Sequence, residues 1–389
     1  MVSIALDPFY NCILGFMLAV WLVSTQTYRL EPLLKRLKRR RYVAVAALWV
    51  VFLAYAAFYV TDFSYSADTH DIDDAVEAGA ISVSTGVNPY EQNVIPRFAS
   101  RYSADVQWTY GHYNYLPFDL LVYSACEEAL GFLGVPVWFV VMNFIFSGAA
   151  FFLLYRMMHV RWFSLVPVAG LAMLFYSFDN GSLTLLLVVA SVYTLERSKS
   201  HPEGFSLILM GLAALTKIYA VLPLAVLFLF VVQKSVANRN WKLLSETTAA
   251  TAVAAGFAFA VMLPFGVANV LNSAVLFHAD PVERAGTSMG GTLLGELSIG
   301  DGSFFWVSLA LVVVALFAGL GLRNLNDRVL LLMSVFLMVA VKSSYAPLLV
   351  AGVFLGLRMR DRAMERRIAQ NQPEAVDQGV PDNPPPSSS

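Results

Sequence analysis

The sequence predicts an all-α protein that crosses a membrane many times. Three observations carry that prediction. Hydrophobic residues make up 58% of the 389-residue chain and charged residues only 14%, whereas soluble domains carry about 25% charged residues. Apolar runs near the length needed to cross the hydrocarbon of a bilayer recur from one end of the chain to the other. Lysine and arginine gather in short clusters between those runs, the pattern expected of cytoplasmic connections.

Taken in order, the first apolar run covers residues 8–28. It is followed by the basic stretch "KRLKRRR" (35–41) instead of a small-residue cleavage site, so it reads as a retained anchor and not a cleaved leader. A second run covers 43–61. The first outer loop, 61–134, contains "LPFDLLVYSACEEALGFLG" (116–134), in which Asp119, Glu127 and Glu128 make a poor spanning helix. That segment is expected to be amphipathic and to lie along the outer surface. Spans follow at 135–156, 163–178 and 181–195. The run over 205–232 would reach about 42 Å as one helix, against a hydrocarbon core of about 30 Å. Lys217 and Pro223 interrupt it, so a hairpin of two segments is expected. Further runs cover 243–265, 303–322 and 329–358, the last split near "KSSYAP", with a second outer loop at 266–302.

The basic connections at 35–41, 156–162, 196–201, 233–242, 322–328 and 358–367 can all face the cytoplasm together. That arrangement needs about 11 transmembrane helices, an outside N-terminus and an inside C-terminus. Residues 1–360 then form one polytopic unit, placed in the plasma membrane of a prokaryote or the endoplasmic reticulum of a eukaryote. Residues 370–389 are polar, rich in proline and serine, and expected to be a disordered cytoplasmic tail.

Several functions are excluded early. A net charge of −1 gives no electrostatic footprint for nucleic acid. Two cysteines, Cys12 and Cys126, offer neither a disulfide framework nor zinc spacing. No glycine-rich phosphate loop follows a strand, and His-Glu-x-x-His and Gly-x-Ser-x-Gly are absent.

The candidate chemistry lies in the outer segments. "HDIDDAVEAGAISVSTGVNPY" (70–90) brings Asp71, Asp73, Asp74 and Glu77 together directly after an apolar run. Such acids can cap and start a helix. A carboxylate partly shielded from water at a membrane boundary can also act as a general base, because its pKa rises toward neutrality. Asp71-Ile72-Asp73 further has a spacing that can hold a divalent cation through oxygen ligands. Trp108, Tyr110, Tyr113 and Tyr115 read first as an aromatic belt at the interface, although an aromatic ring can also stack on a sugar face. Lys217 is the only charge within 205–232, and an intramembrane lysine is by default functional or paired. Lys342 repeats the pattern at the second hairpin tip. Asp179 and Asn180 mark a third outer turn, where Asn180-Gly181-Ser182 is formally a glycosylation sequon. His278 and Arg284, in the second outer loop, form a pair suited to gripping a phosphate.

In their order along the chain these features resemble the GT-C class of integral-membrane glycosyltransferases, in particular its mannosyltransferases that use a polyprenyl-phosphate sugar. The resemblance rests on the acidic stretch at 70–79, then Gly86-Val87-Asn88-Pro89-Tyr90, then Tyr113-Asn114-Tyr115-Leu116-Pro117-Phe118, then the hairpin ending at Lys217, and finally His278 with Arg284. It covers roughly residues 43–360. The family's Pro-Pro pair is here Leu116-Pro117.

The resemblance implies that Asp71 or Asp73 is the general base for an acceptor hydroxyl, with Asp71 better spaced from Pro89-Tyr90. It implies that Lys217, His278 and Arg284, backed by Arg97 and Lys342, hold the donor phosphate. Tyr90, His112, Tyr115 and Asp179 are then the candidates to touch the sugar or the acceptor. The partners implied are membrane lipid, a polyprenyl-phosphate-linked donor and a glycan or glycolipid acceptor. No cofactor is implied beyond the divalent cation that Asp71 and Asp73 could hold. Three other readings compete: a transporter or flippase of a lipid-linked sugar or another anion, a metal-dependent transferase, and a non-catalytic subunit of a glycosylation complex.

Overall fold

A computed structural model of the chain describes residues 41–61, 72–91, 94, 97, 112–134, 137–158, 162–177, 179–198, 201–276, 301–339 and 345–371. Among the described residues every regular element is helical. In chain order these are α1 (Arg41–Thr61), α2 (Ile72–Ser84), α3 (Pro117–Leu130), α4 (Val137–Met158), α5 (Trp162–Tyr176), α6 (Gly181–Arg197) and α7 (Pro202–Ala214). They continue as α8 (Val221–Ala237), α9 (Trp241–Met262), α10 (Val267–Ala274), α11 (Asp301–Gly319), α12 (Leu325–Val339) and α13 (Tyr345–Asn371). The first apolar run at 8–28 and the tail beyond 371 lie outside the described residues.

By length and composition, three stretches can cross a membrane: Val137–Met158, Ile218–Ala237 and Trp241–Phe265. Shorter apolar helices accompany them at Ala46–Ala57, Pro202–Ala214 and Trp306–Gly319. The chain is therefore a helical protein with membrane-spanning character.

The long apolar run over 205–232 is broken where its residues predict. After α7 the chain passes through Lys217, whose backbone is extended at φ −136° and ψ 132°, into a 3-10 turn at Ile218–Ala220 that leads into α8. Thr216 Oγ1 donates to the Ala213 carbonyl at 2.6 Å and satisfies one acceptor at the broken end. Pro223 occupies the first turn of α8, where a missing N–H costs nothing. The run near "KSSYAP" splits likewise into α12 and α13, with 340–344 outside the described residues. Helix α13 continues past the end of its apolar run, to Asn371. Arg358 and Arg360, in the middle of this helix, meet the neighbouring helix ends.

Helix α6 is central. It packs on α4 and α7, α7 packs on α9, and α11, α12 and α13 follow in sequence, while α1 lies on α5. The largest buried cluster runs through Val188, Leu207, Met210, Val231, Met333 and Phe354. Between membrane helices such packing rests on close fit and interhelical hydrogen bonds more than on escape from water. Ser191 Oγ accordingly donates to the Ser206 carbonyl at 2.8 Å across α6 and α7. Val50, Val51 and Leu53 of α1, Phe257 and Phe259 of α9, and Trp306, Val314 and Phe317 of α11 stay exposed. Apolar surface of that kind suits contact with lipid.

One end of the bundle gathers the basic connections. Arg360 of α13 donates to both carboxylate oxygens of Glu196 at 2.7 and 2.6 Å and reaches the Met157 carbonyl of α4. Arg358 pairs with Asp327 at 2.9 Å, and Lys234 pairs with Glu203 at 3.0 Å. Arg328 donates to Gln233 Oε1 and, at 2.7 Å, to the Leu322 carbonyl. Asn240 caps α9 by accepting from the Leu243 amide at 3.0 Å. The opposite end carries α2, α3, α10 and the turn at Lys217.

Candidate functional site

The site is built where three segments meet at one end of the bundle. The first is the turn after α2. Gly86 takes a left-handed φ of +73°, which an L side chain resists, and lets the chain turn back on the end of the helix. Asn88 then donates to the Phe265 carbonyl at 2.9 Å and, through Oδ1, accepts the Tyr90 amide at 3.1 Å. Ser273 Oγ of α10 donates to the Tyr90 carbonyl at 3.2 Å. The Asn-Pro-Tyr element thus ties the segment after α2 to the end of α9 and to α10.

The second segment runs over 112–116 into α3. The Tyr113 amide donates to the Pro89 carbonyl at 2.8 Å, and Tyr90 Oη donates to the Tyr115 carbonyl at 2.8 Å. The Tyr90, Tyr113 and Tyr115 rings pack edge to face, 5.7 and 5.3 Å between centroids. Helix α2 comes so close that a Cβ on Gly79 would stand 2.7 Å from the Tyr113 ring. Helix α3 begins with Pro117 at its first position, the place where proline is best tolerated. At 14 residues it is too short to span a bilayer.

Asp119, in the first turn of α3, is completely buried. Its Oδ2 accepts from Tyr113 Oη at 2.8 Å and from Asn180 Nδ2 at 2.6 Å. Its Oδ1 has no hydrogen-bond partner among the described residues, and neither has Oδ1 of Asn180. Burial pushes the Asp119 carboxyl up from 3.8 to about 7. Lys217 and the hydrogen bonds from Asn180 and Tyr113 pull the other way, while Asp179 adds to the rise.

The third segment is the turn 179–181 that opens α6, together with Lys217. Asp179 Oδ1 accepts the Gly181 amide at 2.7 Å, so its carboxylate sits at a helix N-terminus, where negative charge is favoured. Lys217 Nζ lies 3.8 Å from the same oxygen and 3.9 Å from the centre of the Tyr115 ring. The contact with the ring is a cation–π contact. The Lys217 side chain is 14% exposed and Asp179 only 2%, so Lys217 is the more accessible of the two.

Four of the residues singled out from sequence therefore come together: Tyr90, Tyr115, Asp179 and Lys217. His112 lies beside them, half-buried. Burial lowers its imidazole pKa, and a hydrogen bond to the Ser273 backbone opposes that shift. Arg97 is exposed. Asp71, His278, Arg284 and Lys342 lie outside the described residues, as does the Asp73 side chain. Among the described residues no group of three or more His, Cys, Asp or Glu side chains is placed to hold a metal ion.

One expectation needs correction. Tyr113 is not part of an interfacial belt; it is fully buried with its hydroxyl on Asp119. Asp74 and Glu77 are buried as well. Asn180 is fully buried, so the sequon is a chance match that faces protein. Asp119 and Asn180 were missed as site residues. Asp119 stood out in sequence only as a reason why its helix should not span, and an acid in a first helical turn is common enough to pass as a surface residue.

No protein-family model, curated protein or solved structure matches this chain.

Proposed function

We propose that this chain is a multi-pass membrane glycosyltransferase. It moves a hexose, mannose by the resemblance, from a polyprenyl-phosphate donor to a hydroxyl of a glycan or glycolipid, with inversion at the anomeric carbon. The observation that carries this reading is the convergence of Lys217, Asp179, Tyr115 and Tyr90 at the bundle end opposite the ion-paired basic connections. The positive-inside rule assigns those connections to the cytoplasm. The Lys217 site then faces the other side, where a lipid-borne sugar is a suitable donor. Val137–Met158, Ile218–Ala237 and Trp241–Phe265 are long and apolar enough to cross the membrane, and the reading of about eleven passages rests on the apolar runs of the sequence.

Each group has a role in this reading. Lys217, whose side chain is partly exposed, meets the donor phosphate, and Tyr115 fixes the direction of the ammonium. His278 and Arg284 in the second outer loop add positive charge as the phosphate departs. Asp71 or Asp73, at the start of α2, removes the acceptor's hydroxyl proton. The acceptor oxygen forms its bond to the anomeric carbon as the bond from that carbon to the phosphate oxygen breaks. The electron pair leaves with the phosphate, and polyprenyl phosphate is released.

The test is direct. Full-length protein in lipid nanodiscs is incubated with a radiolabelled polyprenyl-phosphate hexose and a panel of glycan and glycolipid acceptors. Transfer is expected, and Lys217→Gln should lower it about a hundredfold, the loss typical of one donor that stabilises a developing anion. Full transfer by both Asp71→Asn and Asp73→Asn would remove those acids as the base. Folded wild-type protein that transfers no sugar, yet moves the intact donor across a vesicle membrane, would reject the transferase.

A further inference from the structure

Two buried oxygens at the Lys217 end have no hydrogen-bond partner among the described residues, and they belong to neighbouring groups. Asp119 Oδ2 and Asn180 Nδ2 are joined at 2.6 Å, while Oδ1 of each side chain is left unsatisfied. A buried oxygen without a hydrogen bond is costly. Two acceptors cannot satisfy each other, but one proton on Asp119 Oδ1 turns it into a donor toward the amide oxygen of Asn180. Carboxylic acid and carboxamide would then close a cyclic pair through two hydrogen bonds.

We propose that Asp119 is a proton-binding site, held as a neutral acid paired with Asn180, and that its proton sets the charge of the Lys217 site toward an anionic lipid headgroup. With the proton in place, Lys217 and Asp179 cancel and the cluster is neutral. Without it the cluster carries a net negative charge, and a phosphate is repelled across a few ångströms of low-dielectric protein. Asp119 contacts no ligand, being fully buried; it is a positioning residue. Through Asn180 it fixes the turn that holds Asp179, and through Tyr113 it fixes the segment that lays Tyr115 on Lys217.

The surroundings fit a single titration near neutrality. From α6 the charged neighbour is Asp179, and from the turn before α8 it is Lys217. Tyr219 follows Lys217 in that turn. Burial holds Tyr90, Tyr113 and Tyr123 well above the usual phenol range and raises Cys126 to about 11, so these stay neutral. Burial moves His112 the opposite way, below the usual imidazole range. The charged residues of α4 and α9, Arg156, Lys242 and Glu246, lie at the far end of their helices. Helix α2, packed on α3, adds the buried acids Asp74 and Glu77. The neutral form fits a carboxyl raised to about 7.

The anion part of this proposal rests on the phosphate role given to Lys217; the proton part does not. Infrared difference spectra of the full chain in nanodiscs, titrated across neutral pH, should show the carbonyl stretch of a protonated carboxylic acid that fades as pH rises. A carbon-13 label on aspartate should shift that band, and Asp119→Asn should abolish it. Binding of a short-chain prenyl phosphodiester, singly charged throughout, should weaken about tenfold in wild type over the same range, the scale of one added charge nearby. In Asp119→Asn it should be independent of pH. Absence of an aspartic-acid band at pH 6, persistence of that band in Asp119→Asn, or wild-type binding indifferent to pH would each overturn the proposal. A titrating band and pH-dependent binding in a protein that transfers no sugar would support the proton site while rejecting the transferase.

Discussion

The two ends of the bundle handle buried charge in opposite ways. At the end with the basic connections, Arg360, Arg358, Lys234 and Arg328 each have a specific acceptor, often two, and their partners come from different helices. At the opposite end, among the described residues, Lys217 lies 3.8 Å from the Asp179 carboxylate, and the fully buried Asp119 carboxyl keeps one oxygen without a hydrogen-bond partner. Closely paired charges lock helix ends together and leave nothing for a ligand. A loosely held lysine beside an acid with a raised pKa keeps unused interaction capacity, a condition that marks binding and catalytic sites. Under the proposed function, the first end holds the bundle together and the second carries the chemistry.

The comparison can be tested at either end. The largest expected effect is on pH and stability. A carboxyl raised from 3.8 to about 7 in the folded protein binds more protons there than in the unfolded chain across that window. Stability should therefore fall as pH rises from about 4 to about 7, by up to about 4 kcal/mol for three pKa units. Thermal unfolding of wild type against Asp119→Asn measures it, and the variant should lack this slope. Next is Gly79→Ala. Its new Cβ would press on the Tyr113 ring at 2.7 Å and strain the hydroxyl bond to Asp119. Overpacking of this kind costs about 1–3 kcal/mol. Denaturant unfolding should show that loss, and sugar transfer should drop more than stability does. The smallest effect belongs to the other end. Arg360→Ala removes the bonds to Glu196 and to the Met157 carbonyl, at a cost of about 1–2 kcal/mol for partly exposed charged hydrogen bonds. Transfer per folded molecule should not change. A variant at this end that cut transfer without loss of stability would break the division of labour.

Much of the fold was legible in the residues. Apolar length and composition placed the helices to within a few residues, because a segment in lipid must satisfy its own backbone and so must be helical. Lys217 and Pro223 marked the broken hairpin, one by its charge and the other by its missing N–H. The Asn-Pro-Tyr and Tyr-Asn-Tyr elements were visible as motifs, and the backbone does join them. The end of α13 was not legible, because a helix that outlasts its apolar run loses the apolar signal while its backbone bonding continues. Asp119 and Asn180 were not legible as a pair. They are 61 residues apart, and nothing local to either tells that one carboxyl and one amide will share a dry interior.

By itself the sequence determined the class of molecule, the helical elements and the segregation of basic connections from acidic loops, since hydropathy and charge act locally and against the membrane. Only the tertiary structure decided which of many polar residues are buried together and which are left short of partners. Burial and pairing are set by distances between remote segments, and the pKa of Asp119 and the setting of Lys217 follow from them.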